Sequence, residues 1–134
     1  MQKIIFSLIL VIIVSVIGCS GEKNTSKTSD SKDIMASLPE GPLALPEGSD
    51  PEANTHNAEG ILHYKEGHFD IALEHFREAE KIKSEIGEIH FNVALALDKL
   101  GGHRDAAEHF KIAQDNANGN SLILESKILL AHIQ

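Results

Sequence analysis

An eight-residue phrase occurs twice in this chain. Ala72-Leu73-Glu74-His75-Phe76-Arg77-Glu78-Ala79 returns as Ala106-Ala107-Glu108-His109-Phe110-Lys111-Ile112-Ala113, and the shift of 34 positions also carries Gly67 onto Gly101 and His56 onto His90. Self-similarity at such a period constrains a fold strongly, because each copy is then one supersecondary unit that buries its apolar face against the next. Within the phrase, Ala72, Leu73, Phe76 and Ala79 fall three and four apart, an apolar helical stripe, while Glu74, Arg77, Glu78 and Lys81 occupy other faces. Upstream of the second copy, Phe91, Ala94, Leu95, Ala96 and Leu97 stand at helical spacing as well. Asp50-Pro51-Glu52 is a strong helix start: Asp accepts hydrogen bonds as an N-cap, Pro fits the first turn, and Glu complements the helix dipole. The pattern predicts an all-α domain from residue 50, with helices near 52–66, 69–83, 87–100, 103–117 and 121–134 and a last break at 116–120.

Laid out at this period, the two units resemble the tetratricopeptide repeat, whose pattern is W-x2-L-G-x2-Y, then A-x3-F and a later Pro. In the first copy His56, Glu59, Gly60 and His63 take the first-helix places, and Ala72, Phe76 and Ala79 those of the second helix. In the other copy the corresponding residues are His90, Val93, Ala94 and Leu97, then Ala106, Phe110 and Ala113. The second helix fits closely in both; in the first, histidine replaces Trp twice and Glu59 stands where Leu is usual. The resemblance implies a short α-solenoid of two helix-turn-helix repeats, about 53–86 and 87–120, with a capping helix at 121–134. It also implies a protein-binding concave groove, lined here by Asn57, Ile61, Tyr64, Lys65, Phe91, Leu95 and Lys99, with Leu122, Leu129 and Ile133 added by the last helix.

The C-terminal segment SLILESKILLAHIQ is apolar on two sides. As one helix at 100° per residue it places Leu122, Leu129 and Ile133 on one side and Leu124, Ile128 and Ala131 roughly opposite, so one neighbour cannot cover both. A cap ordinarily turns a polar face to water. The expectation that follows is a missing contact, either a protein partner or a second copy in a homodimer, which would make the molecule a self-assembling structural protein.

At the other end, Lys3 precedes an apolar run over residues 4–17, the layout of a secretory signal. Fourteen helical residues span roughly 21 Å, short of a hydrocarbon core of about 30 Å. Val16-Ile17-Gly18-Cys19 resembles the lipobox of bacterial lipoproteins, which implies cleavage after residue 18 and acylation, palmitate included, of Cys19. Two or three acyl chains anchor a protein stably. The expected location is therefore the bacterial cell envelope, and Ser20 in place of Asp favours the periplasmic face of the outer membrane. Cys19 is the lone cysteine, so no disulfide forms within the chain. Residues 19–49 carry Ser, Lys, Gly and Pro without aromatics, a composition that reads as a disordered linker. Leu38-Pro39-Glu40-Gly41 recurs in it as Leu45-Pro46-Glu47-Gly48, either a plain spacer or a docking sequence built on Leu38, Leu43 and Leu45.

With 12 basic against 20 acidic residues the net charge is −8, which argues against nucleic acid as a partner. Eight histidines invite a metal reading. No pair stands at i, i+4 on a predicted helix, so they read as surface or half-buried residues of an amphipathic repeat, with no metal or other cofactor expected. Phosphate-loop, nucleophile-elbow and CxxC motifs are missing, and the expectation is a non-enzymatic interaction module.

Overall fold

The computed structural model describes residues 40–134; the expected signal segment 1–18, the expected acylation site Cys19 and residues 20–39 lie outside the described residues. Asp50 opens the helical part, its Oδ1 accepting from the N–H groups of Glu52 (2.9 Å) and Ala53 (3.2 Å), with Pro51 in the first turn of α1 (Pro51–Glu66). There follow α2 (Phe69–Ile82), α3 (Gly87–Lys99), α4 (His103–Asp115), α5 (Ser121–Leu124) and α6 (Lys127–His132). Strands are absent among the described residues. None of the described helices is long and apolar enough to cross a membrane.

The 34-residue shift reappears in the backbone. α1 ends at Gly67 (φ 83°) and the first turn after α3 holds Gly101 (φ 82°), both in the left-handed region that glycine enters without steric cost. In each case the following N–H reaches back five residues, His68 to the His63 carbonyl and Gly102 to the Leu97 carbonyl, both at 2.9 Å. This Schellman closure stops the helix and turns the chain. α2 thereby returns along α1 and α4 along α3, and α2 also packs on α3. The repeated apolar stripe fills the seams: Ala72, Phe76 and Ala79, and equally Ala106, Phe110 and Ala113, are fully buried.

Two glycines mark close approaches. A Cβ on Gly60 would stand 2.5 Å from Cε1 of Phe76, so the ring lies directly on the α1 backbone. A Cβ on Gly87 would stand 2.7 Å from the Asn116 carbonyl oxygen and 2.9 Å from that of Ala113, where α3 begins against the end of α4. α3 is the central helix: every residue from Gly87 to Leu97 is buried, whereas α1 buries Ala53, Asn57 and Gly60.

Two expectations are corrected. Ordered chain begins at least ten residues before Asp50, because residues 40–49 form an extended strap on the helices, with Leu45 buried in the core and Leu43 half-buried against it. The strap ends in a turn in which Ser49 N–H donates to the Pro46 carbonyl (3.1 Å) with Gly48 at φ 81°. The linker reading of 19–49 thus fails for its last ten residues, since the apolar side chains of that part find a preformed surface.

The single capping helix over 121–134 is instead two short helices separated at Glu125 and Ser126. In one straight helix Ile123 and Leu129 would point about 120° apart. The break brings both to 0% exposure and leaves Leu122 and Leu124 at 42% and 39%. Ser126 supports it as N-cap of α6, its Oγ accepting from Leu129 N–H at 3.2 Å. The single two-sided helix that suggested self-association is therefore not formed; the broken segment buries Ile123 and Leu129 and leaves Leu122 and Leu124 exposed.

Candidate functional site

Two buried amides meet beneath the strap, one of them Asn57 of the predicted groove. Asn57 of α1 and Asn92 of α3 are 1% and 0% exposed, and a buried amide left unpaired costs about 1–3 kcal/mol. They are paired through the strap. Asn92 Oδ1 accepts from Leu43 N–H at 2.6 Å, and Asn92 Nδ2 donates to the Leu43 carbonyl at 2.7 Å. Asn57 Nδ2 donates to the same carbonyl at 3.0 Å, while Asn92 Nδ2 also donates to Asn57 Oδ1 at 2.8 Å. Both polar groups of one peptide residue are thus held by side chains from two different hairpins. Such contacts read backbone and not side chain, as in other modes of extended-peptide capture.

The strap is fixed at two further points. Leu45 sits in the core, and Glu40 reaches the C-terminal segment. Its carboxylate accepts from Ser126 Oγ–H (2.6 Å), Lys127 N–H (2.6 Å) and Ile128 N–H (3.0 Å). Partial burial opposes ionisation of Glu40, but these hydrogen bonds and the Lys127 charge outweigh it and hold the carboxyl below the usual glutamate value.

The residues expected to line the groove divide into four sets. Asn57 belongs to the clamp, and Ile61, Tyr64 and Ile133 are half-buried at the rim of the core. Phe91, Leu95 and Leu129 are core residues, each at most 1% exposed, and Phe91 meets Phe110 edge to face at 5.6 Å between centroids. Lys65, Lys99 and Leu122 are exposed. Reasoning from sequence passed over Asn92 as a clamp residue and Glu40 as its distant companion. Asn92 carried one available signal: an uncharged amide inside the most apolar of the four long described helices has to find partners.

The histidines converge to a degree their linear spacing hides. All eight fall into four groups with an acid: His56 and His75 with Glu59, His63 and His68 with Glu66, His90 and His109 with Glu80, and His103 and His132 with Asp98. The pairs form between helices or across turns, which an i, i+4 search within one helix does not see. His56–His75 and His90–His109 are related by the 34-residue shift, with ring centroids 6.0 and 5.5 Å apart.

In the Glu80 group, His90 Nδ1 lies 3.3 Å from His109 Nδ1 and 3.2 Å from Glu80 Oε1, and His90 Nε2–H donates to the Ser84 carbonyl at 2.7 Å. His90 hydrogen-bonding holds the Glu80 carboxyl below its ordinary value. Burial pushes His90 down, but Glu80 and the Ser84 carbonyl prevail and raise it. Burial lowers His109, aided by the charges of His90 and Arg77. In the Asp98 group, burial opposes ionisation and hydrogen bonds from His103 and His132, both to Oδ1 at 2.8 Å, hold Asp98 low.

Compared with protein-family models, with curated proteins and with solved structures, the chain matches none.

Proposed function

We propose that the chain is a lipid-anchored, tetratricopeptide-like protein-binding module of the bacterial envelope, non-enzymatic, which takes an extended peptide by its backbone between the two hairpins. The observation that carries this reading is the double clamp on Leu43: an N–H and a C=O of one residue held by Asn92 and Asn57 together. In this reading residues 40–49 are an intramolecular occupant, and a partner strand of similar chemistry competes for their place. A tethered segment acts at an effective concentration of order mM, so a free competitor binds measurably only when the strap is weakened. Acylation of Cys19 would hold the module at the membrane, with residues 20–39 giving it reach.

The test uses a labelled peptide of sequence EGPLALPEGS added to the full chain. In a Leu43→Pro/Leu45→Asp chain, which loses the clamped N–H and the buried side chain, the peptide should bind saturably, and it should bind far more weakly to the intact chain. An opened chain that keeps its helical circular dichroism yet shows no peptide binding would sink the groove reading. Cys19→Ala should abolish incorporation of a labelled fatty acid into the protein in an expressing bacterium; undiminished labelling in that variant, or none in the intact chain, would remove the anchor.

A further inference from the structure

We propose that Glu80, His90 and His109 form a binding site for a divalent transition-metal ion of the zinc type, with three protein ligands and a fourth position open to solvent. The first support is geometric. The three candidate donor atoms, Glu80 Oε1 and the Nδ1 atoms of His90 and His109, form a triangle with sides of 3.2, 3.3 and 3.6 Å. With metal–ligand bonds of about 2.0–2.1 Å, the edge of a ligand tetrahedron is about 3.3 Å. The atoms thus stand at one face of a coordination tetrahedron without rearrangement of the helices that carry them.

The second support is the hydrogen bond behind the site. A carbonyl only accepts, so the contact between His90 Nε2 and the Ser84 oxygen at 2.7 Å requires the proton on Nε2. In neutral His90 the Nδ1 lone pair then faces Glu80 and His109. This is how metal-bound histidines are commonly oriented, the remote N–H being tied to a backbone carbonyl that fixes tautomer and ring plane. Two imidazole nitrogens and a carboxylate oxygen converging so closely call for a shared cation, and the donor set suits a borderline ion of the zinc, cobalt or nickel kind.

The third support is placement. Glu80 comes from the last turn of α2, His90 from the first turns of α3 and His109 from the middle of α4. An ion there would tie the two hairpins together. The His90 side chain is 5% exposed and backs the site, whereas those of His109 and Glu80 are 21% and 24% exposed and leave an approach from solvent. His90 and Asn92 are about 200° apart around α3, so the site and the peptide clamp occupy different faces.

The other three histidine groups fit less well. In the one nearest in distance, Glu66 lies 3.6 Å from His63 and 3.3 Å from His68, but the His68 and Glu66 side chains are 56% and 48% exposed. His103 and His132 both lie 2.8 Å from the same Asp98 oxygen, a hydrogen-bond length and too short for a tetrahedral edge. In the first hairpin His56 Nδ1 is 3.8 Å from Glu59 Oε2, and the Glu59 side chain is 50% exposed.

A competing occupant is a proton shared between His90 and Glu80, and cobalt separates the two. The full chain, stripped with a chelator, is titrated with Co2+ alone at neutral pH, and the visible d–d absorption of a four-coordinate complex is followed, then displaced with Zn2+. The expected result is one zinc-displaceable site that Glu80→Gln and His109→Gln each weaken by at least about tenfold, while His75→Gln and His103→Gln leave it unchanged. Both ligand variants alter partly exposed side chains, and retained helical circular dichroism identifies them as folded. A chain that develops no such absorption, an affinity undiminished in both ligand variants, or an equal loss in His75→Gln or His103→Gln would overturn the assignment.

Discussion

α1 and α3 hold equivalent places in the 34-residue pattern, yet they live in different surroundings. α1 buries Ala53, Asn57 and Gly60; α3 buries an unbroken run from Gly87 to Leu97. One helix is packed from one side, the other from several: α2 and α4 flank α3, the strap crosses it, and α5 touches it. The same residue type consequently does different work in the two copies. The His56 side chain is 30% exposed beside Glu59 of its own helix, whereas His90, its equivalent, is 5% exposed and meets an acid from the preceding hairpin. Position in the stack, more than the repeated phrase itself, decides which copy is structural core and which remains surface.

The largest test of this difference is the repeated phenylalanine. Phe76 and Phe110 are both fully buried, and truncating such a ring costs about 3–5 kcal/mol. Phe110 contacts Phe91 and His132 as well as its own helix neighbours, while Phe76 lies against the peripheral α1 at Gly60. Phe110→Ala should therefore fall at the upper end of that range and Phe76→Ala at the lower, read as the change in urea midpoint at constant slope. Equal losses would mean that the first hairpin is as central as the second.

Next in size comes the close approach at Gly87. Its neighbours within 3 Å of an added Cβ are backbone atoms of Ala113 and Asn116, which cannot rotate away. Gly87→Ala should destabilise by about 1–3 kcal/mol, even though alanine regains up to about 1 kcal/mol of helix propensity. A neutral or stabilising effect in thermal unfolding would show that the α3–α4 junction yields more easily than its geometry implies.

How much of this was legible beforehand follows the same division. The four long helices, their turns at Gly67 and Gly101 and the buried alanine–phenylalanine stripe could be read from periodicity and glycine placement, because local propensity and the amphipathic pattern agree there. The C-terminal break could not, since SLILESKILLAHIQ has good helix formers throughout and is interrupted by a carboxylate 86 residues away, Glu40, meeting Ser126. The strap was legible only in part: a docking sequence that includes Leu43 and Leu45 is one of two readings, beside a plain spacer, because both look isolated in a Pro- and Gly-rich stretch until a surface exists to receive them. Phe91 and Leu95 looked like groove and proved to be core, because helical spacing shows which side chains share a face but not which faces are covered. The histidine groups depend on tertiary pairing and have no local signature.

The clamp separates the two hairpins at smaller scale. Asn92, on the central helix, makes three of the four hydrogen bonds of the cluster, and Asn57, on the peripheral one, takes part in two. Asn92→Ala should cost about 1–3 kcal/mol, since it leaves the Leu43 N–H without its partner, and Asn57→Ala should cost less. Amide exchange at Leu43 and Leu45 reads the effect on the strap directly. Faster exchange in Asn57→Ala than in Asn92→Ala would reverse the ranking of the two helices.

The smallest effect concerns pH and the end of the strap farthest from α1. Folding holds the Glu40 carboxyl below its ordinary value through Ser126, Ile128 and Lys127. For a carboxyl depressed in the folded state, the stabilisation is complete above the free-chain value, near 4.5 for this group, and is lost as pH falls through the lower, docked value. Strap docking should therefore be constant from neutrality down to about pH 5 and weaken below the glutamate range. Because the carboxyl is exposed on one side, water screens part of the interaction and the loss should be modest. Amide exchange across residues 40–49, normalised to that of α3, should rise below that pH in the intact chain. In Glu40→Gln it should already be elevated at neutrality and change little with acid. An intact chain whose strap loosens in step with α3 would show that the two regions open as one unit, and the contrast between a peripheral strap and a central helix would no longer hold.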